Sequence, residues 1–445
     1  MNTWLYTNAD VQDTRWETTY ERDFKVPKNF ESDSQGPVNG QKFECKKDQQ
    51  QKTVSATYMP EQPDHVPNQR SFLENTGMSN RNNKERSTNH TEKGYMGRTD
   101  EVNREEQIRA TIYGQCIGDA IGLLTEFMTK PEARRAYGNY NYLTYSAMKR
   151  DNHRKRWEAG DWTDDTDQMI LIMESLTHCI GKVDSCDFAR RLRQWAKNGF
   201  PDLGDEGGTG LGNTTYSVIS HRRFLSDPQT AAEQVWSQGG KRDAPNGAVM
   251  RTAILGIHEW WDITKVEENA KNICTTTHFD PRCQASAVAV SVAISLMIQR
   301  RKEHYESSRK TFNIETIIDE CCNRAVRVLA TEEQRRELLQ SLRCTDLVAL
   351  KLDENGKIGY TFKCLGAAFW ALKQNDFKKA IETILFEGGD ADTNCAVAGA
   401  LLGCKLGSSS ELPDVWLHGL KNKDWLDGKL KEYLRILRGM QTKHT

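Results

Sequence analysis

Four aspartates and two threonines are concentrated in the eight residues from Gly160 to Asp167. A single aspartate at this place would cap the free N–H groups at the start of a helix. The further carboxylates repel one another and are costly to desolvate unless a cation compensates them. Carboxylate and hydroxyl oxygens suit Mg²⁺, Ca²⁺ or Mn²⁺ better than zinc. The residue types therefore leave two interpretations open, a metal site and a solvated acidic turn.

A second acidic segment, Asp390 to Asn394, follows two glycines and precedes a helix of small residues. It repeats the composition of the first segment, since both offer carboxylates together with a threonine hydroxyl. Oxygen ligands from two such segments can bind two hard cations about 3.5–4 Å apart. The pairing favours the metal interpretation. The oxygen-bearing residues are Thr163, Asp164, Asp165, Asp390, Asp392 and Thr393.

Two glycine-containing segments offer backbone amides that can bind a phosphate. One is a loop with Gly208, Gly210 and Gly212, which lacks a preceding strand and the full dinucleotide fingerprint, so that a Rossmann site is excluded. A flexible loop without a ligand is the alternative interpretation. The other is a turn at Asn246 and Gly247, directly before an apolar helix.

Ionisable residues also occur singly in apolar surroundings. Asp119 and Glu126 accompany Gly118 and Gly122, two glycines one helical turn apart that allow another backbone to approach closely. On this motif alone, tight helix packing with a paired aspartate is the favoured interpretation. His278 stands at a loop end before a helix of small residues, where a lone histidine is more often structural than catalytic.

Helices are the elements that must position these groups. After the first acidic segment, Met169, Ile172, Met173 and Leu176 recur at the spacing of one buried helical face. This pattern predicts a helix that starts at the acidic residues. Because no strand-like alternation of useful length follows the first hundred residues, we predict an all-α fold, a compact multi-helix domain over residues 101–440.

Residues 1–100 are polar, with isolated apolar residues, and we predict that they form a disordered tail. The chain of 445 residues has a net charge of −1, which gives no electrostatic signal for nucleic acid. It begins without a leader pattern, and no uninterrupted run approaches the roughly 18 apolar residues of a membrane span. Its scattered cysteines are typical of reduced thiols. We therefore expect an intracellular protein, cytoplasmic or also nuclear, with no nucleic-acid or membrane partner.

Taken in order, the motifs resemble those of the ADP-ribosylglycohydrolase family, also called ADP-ribosyl-acceptor hydrolases, which includes the dinitrogenase reductase-activating glycohydrolases. The similarity covers about residues 105–407. Each motif alone is weakly specific, but six in this order are highly specific. The matching segments are Gly118-Asp119-x-x-Gly122-x-x-x-Glu126, Trp162-Thr163-Asp164-Asp165-Thr166, the loop from Gly208 to Thr215, Asn246-Gly247-Ala248-x-Met250-Arg251, Thr277-His278-x-x-Pro281 and Gly388-Gly389-Asp390-x-Asp392-Thr393.

The resemblance implies an all-α hydrolase with two Mg²⁺ ions, or Mn²⁺, in a cleft. Such an enzyme removes ADP-ribose from a mono-ADP-ribosylated protein or a small ADP-ribosyl substrate by cleaving the bond at the anomeric carbon of the distal ribose. The resemblance assigns the six oxygen-bearing residues named above to the metal ions. It assigns the diphosphate and the riboses to Gly208, Gly210, Gly212, Asn246, Gly247 and His278. The catalytic base would be Asp164, Asp165 or Asp392, with Glu126 as the next candidate.

Two other functions remain open at this point. One is a catalytically inactive ADP-ribose-binding protein, or a structural homologue like the lens crystallins related to this family. The other is a metal-dependent hydrolase of a different phosphorylated or glycosidic small molecule. Every proposed ligand position carries an oxygen ligand, which argues against an inactive homologue. No motif indicates whether the acceptor is arginine, serine or another residue.

Overall fold

A computed structural model describes residues 83–442. Within this range it contains sixteen α-helices and one short two-stranded hairpin, which confirms the prediction of an all-α fold. The first helix, α1, runs from Asn83 to Gly122. Of the predicted tail, residues 1–82 lie outside the described residues. Its last part, residues 83–100, belongs to helix α1. The chain divides into two units with a boundary between Val102 and Asn103, and all functional residues lie after that boundary.

Loops of different lengths and seven 3₁₀ turns connect the remaining elements of the described range. These elements are α2 (Lys130–Tyr137), α3 (Asp164–His178), α4 (Ser185–Asn198), α5 (Asn213–Ile219), α6 (Pro228–Gln238), α7 (Ala253–Ile257), α8 (Ile263–Cys274), α9 (Pro281–Gln299), β1 (Tyr305–Glu306), β2 (Thr311–Phe312), α10 (Ile314–Ala325), α11 (Glu332–Leu342), α12 (Thr361–Leu372), α13 (Phe377–Leu385), α14 (Ala391–Leu406), α15 (Asp414–Gly419) and α16 (Lys423–Gln441). The strands β1 and β2 are antiparallel, with Tyr305 opposite Phe312.

Helix α9 is the central helix of the core and packs against α7, α8, α10, α12 and α14. Every residue from Ala285 to Ile298 is buried, and most of them are small enough to let the neighbouring helices approach. Among the described helices, only α9 is long and apolar enough to cross a membrane, with a mean hydropathy of 1.4. Because 83% of its apolar window is buried inside the fold, we interpret it as a core helix.

Both acidic segments stand at helix starts. Thr163 is the N-cap of α3, and its side chain accepts a hydrogen bond from the backbone N–H of Asp165. The apolar stripe predicted for this helix is buried, so the predicted helix is confirmed. Asp390 is the N-cap residue of α14, which packs against α12 and α13.

Glycines bring helix α1 into backbone contact with α14. A Cβ atom at Gly114, Gly118 or Gly122 would lie within 2.2, 2.0 or 2.5 Å of a carbonyl oxygen of α14. Real Cβ atoms do not approach a backbone oxygen so closely, so only glycine allows this contact. The contact confirms the close backbone approach expected from Gly118 and Gly122. It also brings Asp119 and Glu126 beside the start of α14.

Candidate metal centre

The starts of α3 and α14 meet through threonine hydroxyls. Oδ2 of Asp165 accepts a hydrogen bond of 3.2 Å from the hydroxyl of Thr393 and also lies 3.2 Å from the hydroxyl oxygen of Thr163. The Thr163 hydroxyl also lies 3.4 Å from Oδ2 of Asp392. Thr163, Asp165, Asp392 and Thr393, which the sequence analysis assigned to the metal ions, are therefore neighbours.

Asp119 on α1 fixes the start of α3. Its carboxylate accepts hydrogen bonds from the Thr163 N–H at 3.0 Å, the Thr163 hydroxyl at 2.9 Å and the Thr166 N–H at 3.0 Å. Burial raises the pKa of Asp119 to about 7, although the hydrogen bonds from Thr166 and Thr163 act in the opposite direction. Asp119 stands out in the sequence as an ionisable residue in apolar surroundings, but it is not among the predicted site residues. Its place in the matching motif Gly118-Asp119-x-x-Gly122, beside a glycine of close helix contact, was the signal for its position.

Five carboxylates gather at this place in two overlapping groups. Oxygen atoms of Asp119, Asp165 and Asp392 lie within 4.8 Å of one another, and so do those of Glu126, Asp390 and Asp392. Asp392 belongs to both groups. The predicted ligand Asp164 is in neither, but its pKa is raised by burial and then by the charges of Asp119 and Glu126, which places it near both.

The negative charge of Asp165 and Asp392 is only partly compensated by hydrogen-bond donors around them. Burial, followed by the negative charges around them, raises the pKa of Asp165 and Asp392 well above the ordinary value. Oδ1 of Asp165 is buried and has no hydrogen-bond partner among the described residues. A buried polar atom without a partner is costly, and an oxygen-only set of donors matches the preference of Mg²⁺, Mn²⁺ or Ca²⁺. The residues present therefore fit divalent cations.

Asp164 points to the glycine-rich loop. Its Oδ2 accepts a hydrogen bond of 2.8 Å from Nε2 of Gln168, one turn further along α3. Its Oδ1 would lie 2.5 Å from a Cβ atom at Gly210, whose φ of +100° also requires glycine. A side chain at Gly208 would meet the ring of Trp195 at 2.9 Å, whereas one at Gly212 would meet nothing within 4 Å. Two of the three predicted loop glycines are thus required for packing.

Glu126 is held by a segment that the sequence analysis did not single out. Nε2 of His153 lies 2.5 Å from Oε2 of Glu126, and the guanidinium of Arg156 contacts the other ring nitrogen. Since a guanidinium only donates, Nδ1 accepts and Nε2 carries the proton that His153 donates to Glu126. Burial acts to raise the pKa of Glu126, but the interaction with His153, together with the charge of Arg154, lowers it below the ordinary value. Buried Arg154 donates to the backbone carbonyls of Leu123, Leu124 and Glu126.

The turn at Asn246 faces the second acidic group. Nδ2 of Asn246 donates a hydrogen bond of 2.8 Å to Oδ2 of Asp390, so this predicted substrate residue positions a predicted metal ligand. A Cβ atom at Gly247 would lie 3.0 Å from Nε2 of His278. His278 is 2% exposed, and burial, together with the charge of Arg251, lowers its pKa well below the ordinary value. The predicted substrate-binding residues Gly247 and His278 therefore adjoin each other, and His278 is neutral.

Comparison with known proteins identifies the family of this chain. The family model of ADP-ribosylglycohydrolase matches residues 100–444. An uncharacterised protein of Archaeoglobus fulgidus is 27% identical over 73% of this chain and 94% of its own length. The ADP-ribosyl-(dinitrogen reductase) glycohydrolase of Rhodospirillum rubrum is 26% identical, over 70% of this chain and 88% of its length. The ADP-ribosylarginine hydrolase of Serratia proteamaculans is 24% identical over 72% of this chain and 76% of its own length.

A solved structure is similar in fold. A chain described as an ADP-ribosylglycohydrolase-related protein complex aligns with a TM-score of 0.51 and 20% identity, covering 75% of this chain and 99% of that one. Since the family match extends over most of the sequence, this chain belongs to the ADP-ribosylglycohydrolase family, a family of hydrolases. The resemblance predicted from the six motifs is confirmed.

Proposed function

We propose that this chain is a Mg²⁺-dependent hydrolase that releases ADP-ribose from a mono-ADP-ribosylated acceptor by cleaving the bond at the anomeric carbon of the distal ribose. The observation that carries this proposal is the unpartnered Oδ1 of Asp165, which lies among buried carboxylates from α1, α3 and α14. A protein that only packed these helices would gain stability by replacing such carboxylates. Their retention is expected if they bind cations.

Two ions would be held by the residues predicted from the sequence. Asp165, with the hydroxyls of Thr163 and Thr393, would hold one ion. Asp390 would hold the other, and Asp392, which belongs to both acidic groups, would serve both. Asp164 would add an oxygen from the side of the glycine-rich loop. Mn²⁺ could replace Mg²⁺, because both prefer oxygen ligands.

The substrate would lie between the ions and the glycine-containing segments. Backbone amides near Gly208, Gly210 and Gly212 can bind the two phosphates without a lysine. The diphosphate would approach Nε2 of His278 from the side of Gly247, which adjoins that atom. The acceptor would project from the anomeric carbon past Glu126, next to Phe127, whose ring is 43% exposed.

The chemistry follows from the carboxylates around the anomeric carbon. Bound Mg²⁺ supplies Lewis-acid polarisation and lowers the pKa of a water molecule. Cleavage develops positive charge on the ribose, which the carboxylates of Glu126, Asp165 and Asp392 stabilise. One of Asp164, Asp165, Asp392 or Glu126 accepts the proton of the attacking water. Glu126 is held for this role by His153, which contacts its Oε2.

The proposal is tested with proteins that carry ADP-ribose on arginine or on serine. Free ADP-ribose is measured by mass spectrometry after incubation with Mg²⁺ or with EDTA. We expect release from one linkage, in Mg²⁺ only, and loss of release in Asp392→Asn. If no acceptor is turned over while ADP-ribose still binds, the enzyme proposal is wrong and the chain is a binding protein. The linkage that is cleaved identifies the class of acceptor.

A further inference from the structure

A buried arginine connects the metal-binding helix to the histidine proposed to contact the diphosphate. Arg251 is 0% exposed and stacks 4.9 Å above the ring of Phe188. Its Nη1 donates a hydrogen bond of 2.6 Å to Oε1 of Gln168, and its Nη2 donates one of 2.6 Å to the hydroxyl oxygen of Thr277. Gln168 in turn contacts Asp164, and Thr277 contacts His278.

The direction of these hydrogen bonds is fixed by chemistry at Gln168. A guanidinium has five N–H donors and no acceptor. Gln168 must therefore turn its carbonyl oxygen to Arg251 and its amide nitrogen to Asp164. The amide then donates to Oδ2 of Asp164 and leaves Oδ1 on the side of Gly210. With the opposite orientation, the carbonyl would face the carboxylate and both contacts would be lost.

The same reasoning fixes the tautomer of His278. The oxygen of Thr277 accepts from Arg251, and the hydroxyl lies 2.8 Å from Nδ1 of His278. Thr277 is 1% exposed, so a hydroxyl hydrogen without a partner would be costly. The hydroxyl therefore donates to Nδ1, and the ring proton is on Nε2. Among the described residues Nε2 has no hydrogen-bond partner, and it adjoins Gly247.

We propose that Arg251 is a positioning residue that fixes the amide orientation of Gln168 and the Nε2–H tautomer of His278, so that one buried cation orients both a metal ligand and a donor to the diphosphate. The inference rests on the proposed function for the identity of the two ligands. The tautomer itself does not depend on that function. Arg251 contacts neither ligand and acts only through Gln168 and Thr277.

Single substitutions test separately the contact of Arg251 through Gln168 to Asp164 and its contact through Thr277 to His278. Gln168→Met removes the contact to Asp164 and is expected to weaken Mg²⁺ binding by about 10-fold or more, with little effect on ADP-ribose binding. Thr277→Val removes the contact to His278 and is expected to weaken ADP-ribose binding by a similar factor, with little effect on Mg²⁺. Arg251→Lys, which cannot donate to both partners in the same geometry, is expected to weaken both. Thr277→Ser retains a hydroxyl and should restore ADP-ribose binding.

The direct readout is nitrogen NMR of the full chain labelled on histidine, with His278→Gln to assign the signal. The wild type is expected to show the Nε2–H tautomer at His278, and Thr277→Val and Arg251→Lys a mixture or the other tautomer, in samples whose folding is checked by circular dichroism. Calorimetry with MgCl₂ and with ADP-ribose supplies the affinities. A wild-type Nδ1–H tautomer, or an unchanged tautomer in Arg251→Lys, overturns the inference. If the wild type binds neither ligand, the proposed function fails, and the tautomer still decides this inference.

Discussion

The hydroxyl of Thr393 lies 3.2 Å from Oδ2 of Asp165, although the two residues are 228 positions apart in the chain. Each stands in the first turn of its own helix, α14 or α3. Their contact brings the two acidic segments together, and within residues 83–442 Oδ1 of Asp165 has no hydrogen-bond partner. This relationship determines how the site should respond to the loss of one carboxylate.

The first prediction concerns Asp165→Asn. Because it removes one buried negative charge, the free energy of unfolding of the metal-free protein should not fall by more than about 1 kcal/mol. In Mg²⁺ at 100 times the dissociation constant, the wild type should gain about 2.7 kcal/mol, and the variant should gain less than about 1 kcal/mol. Urea unfolding with and without Mg²⁺ measures both. Exposed Asp424→Asn is the control and should behave like the wild type. If Mg²⁺ stabilises the wild type and Asp165→Asn equally, the assignment of Asp165 as a metal ligand is contradicted.

The contact between α1 and α14 can be tested by adding one methyl group. In Gly118→Ala the new Cβ would lie 2.0 Å from the carbonyl oxygen of Cys395, so one helix must shift, and we expect a loss of about 3 kcal/mol or more. Gly428→Ala is the matched control, since Gly428 lies in α16 with nothing within 4 Å. It should raise stability by about 0.5–1 kcal/mol. Equal urea midpoints for Gly118→Ala and the wild type would show that the helices are further apart.

The contact between His153 and Glu126 predicts a catalytic effect. His153→Ala removes the donor to the Glu126 carboxylate and should lower kcat by about 10-fold, as is typical for residues that orient an active-site group. His153→Gln can still donate and should restore part of the activity. Lys155→Ala, at an exposed neighbouring position that contacts Asn152, is the control and should stay within about twofold of the wild type. Wild-type kcat in His153→Ala would show that the contact does not position Glu126.

His258 predicts a loss of stability in acid. Its Nε2 lies 2.8 Å from the Gly181 carbonyl, and burial lowers its pKa despite the opposing effects of Glu259 and that carbonyl. The unfolded chain, with an ordinary pKa of about 6.5, therefore binds more protons below that pH, and stability falls as the pH falls. The contribution is at most about 1.4 kcal/mol per pH unit.

The measurement is urea unfolding between pH 5 and pH 8, in steps that span the ordinary pKa of about 6.5. His258→Gln should be less sensitive to acid than the wild type, because it has no proton to gain. His418→Gln, a change at an exposed histidine, should keep the wild-type slope. A slope in His258→Gln that equals the wild-type slope would show that another group causes the acid sensitivity.

Local patterns predicted the elements of the site. The capping residue Thr163 and the apolar spacing after it define α3, and the glycines of α1 predict a close backbone contact. Such features depend on neighbours a few residues apart, so they can be recognised in one sequence. The order of six motifs then identified the family.

Contacts between distant segments could not be predicted in this way. His153 lies in a basic segment without a motif, and it reaches Glu126 only because Arg154 binds the carbonyls of the turn before it. Asn246 was expected to touch substrate, but its amide donates to Asp390. Arg251 was part of a matching motif, yet its partners Gln168 and Thr277 are 83 and 26 residues away. These partners are determined by tertiary packing.

The central claim is that the acidic cluster binds a divalent cation which hydrolysis requires. The most direct measurement is the release of ADP-ribose from one modified protein by enzyme stripped with EDTA, before and after Mg²⁺ is returned, in the wild type and in Asp165→Asn. We predict no release by the stripped enzyme, full release by the wild type after Mg²⁺ is added, and at least about a 100-fold slower release by the variant. Equal release by the stripped and the restored wild type would contradict the claim.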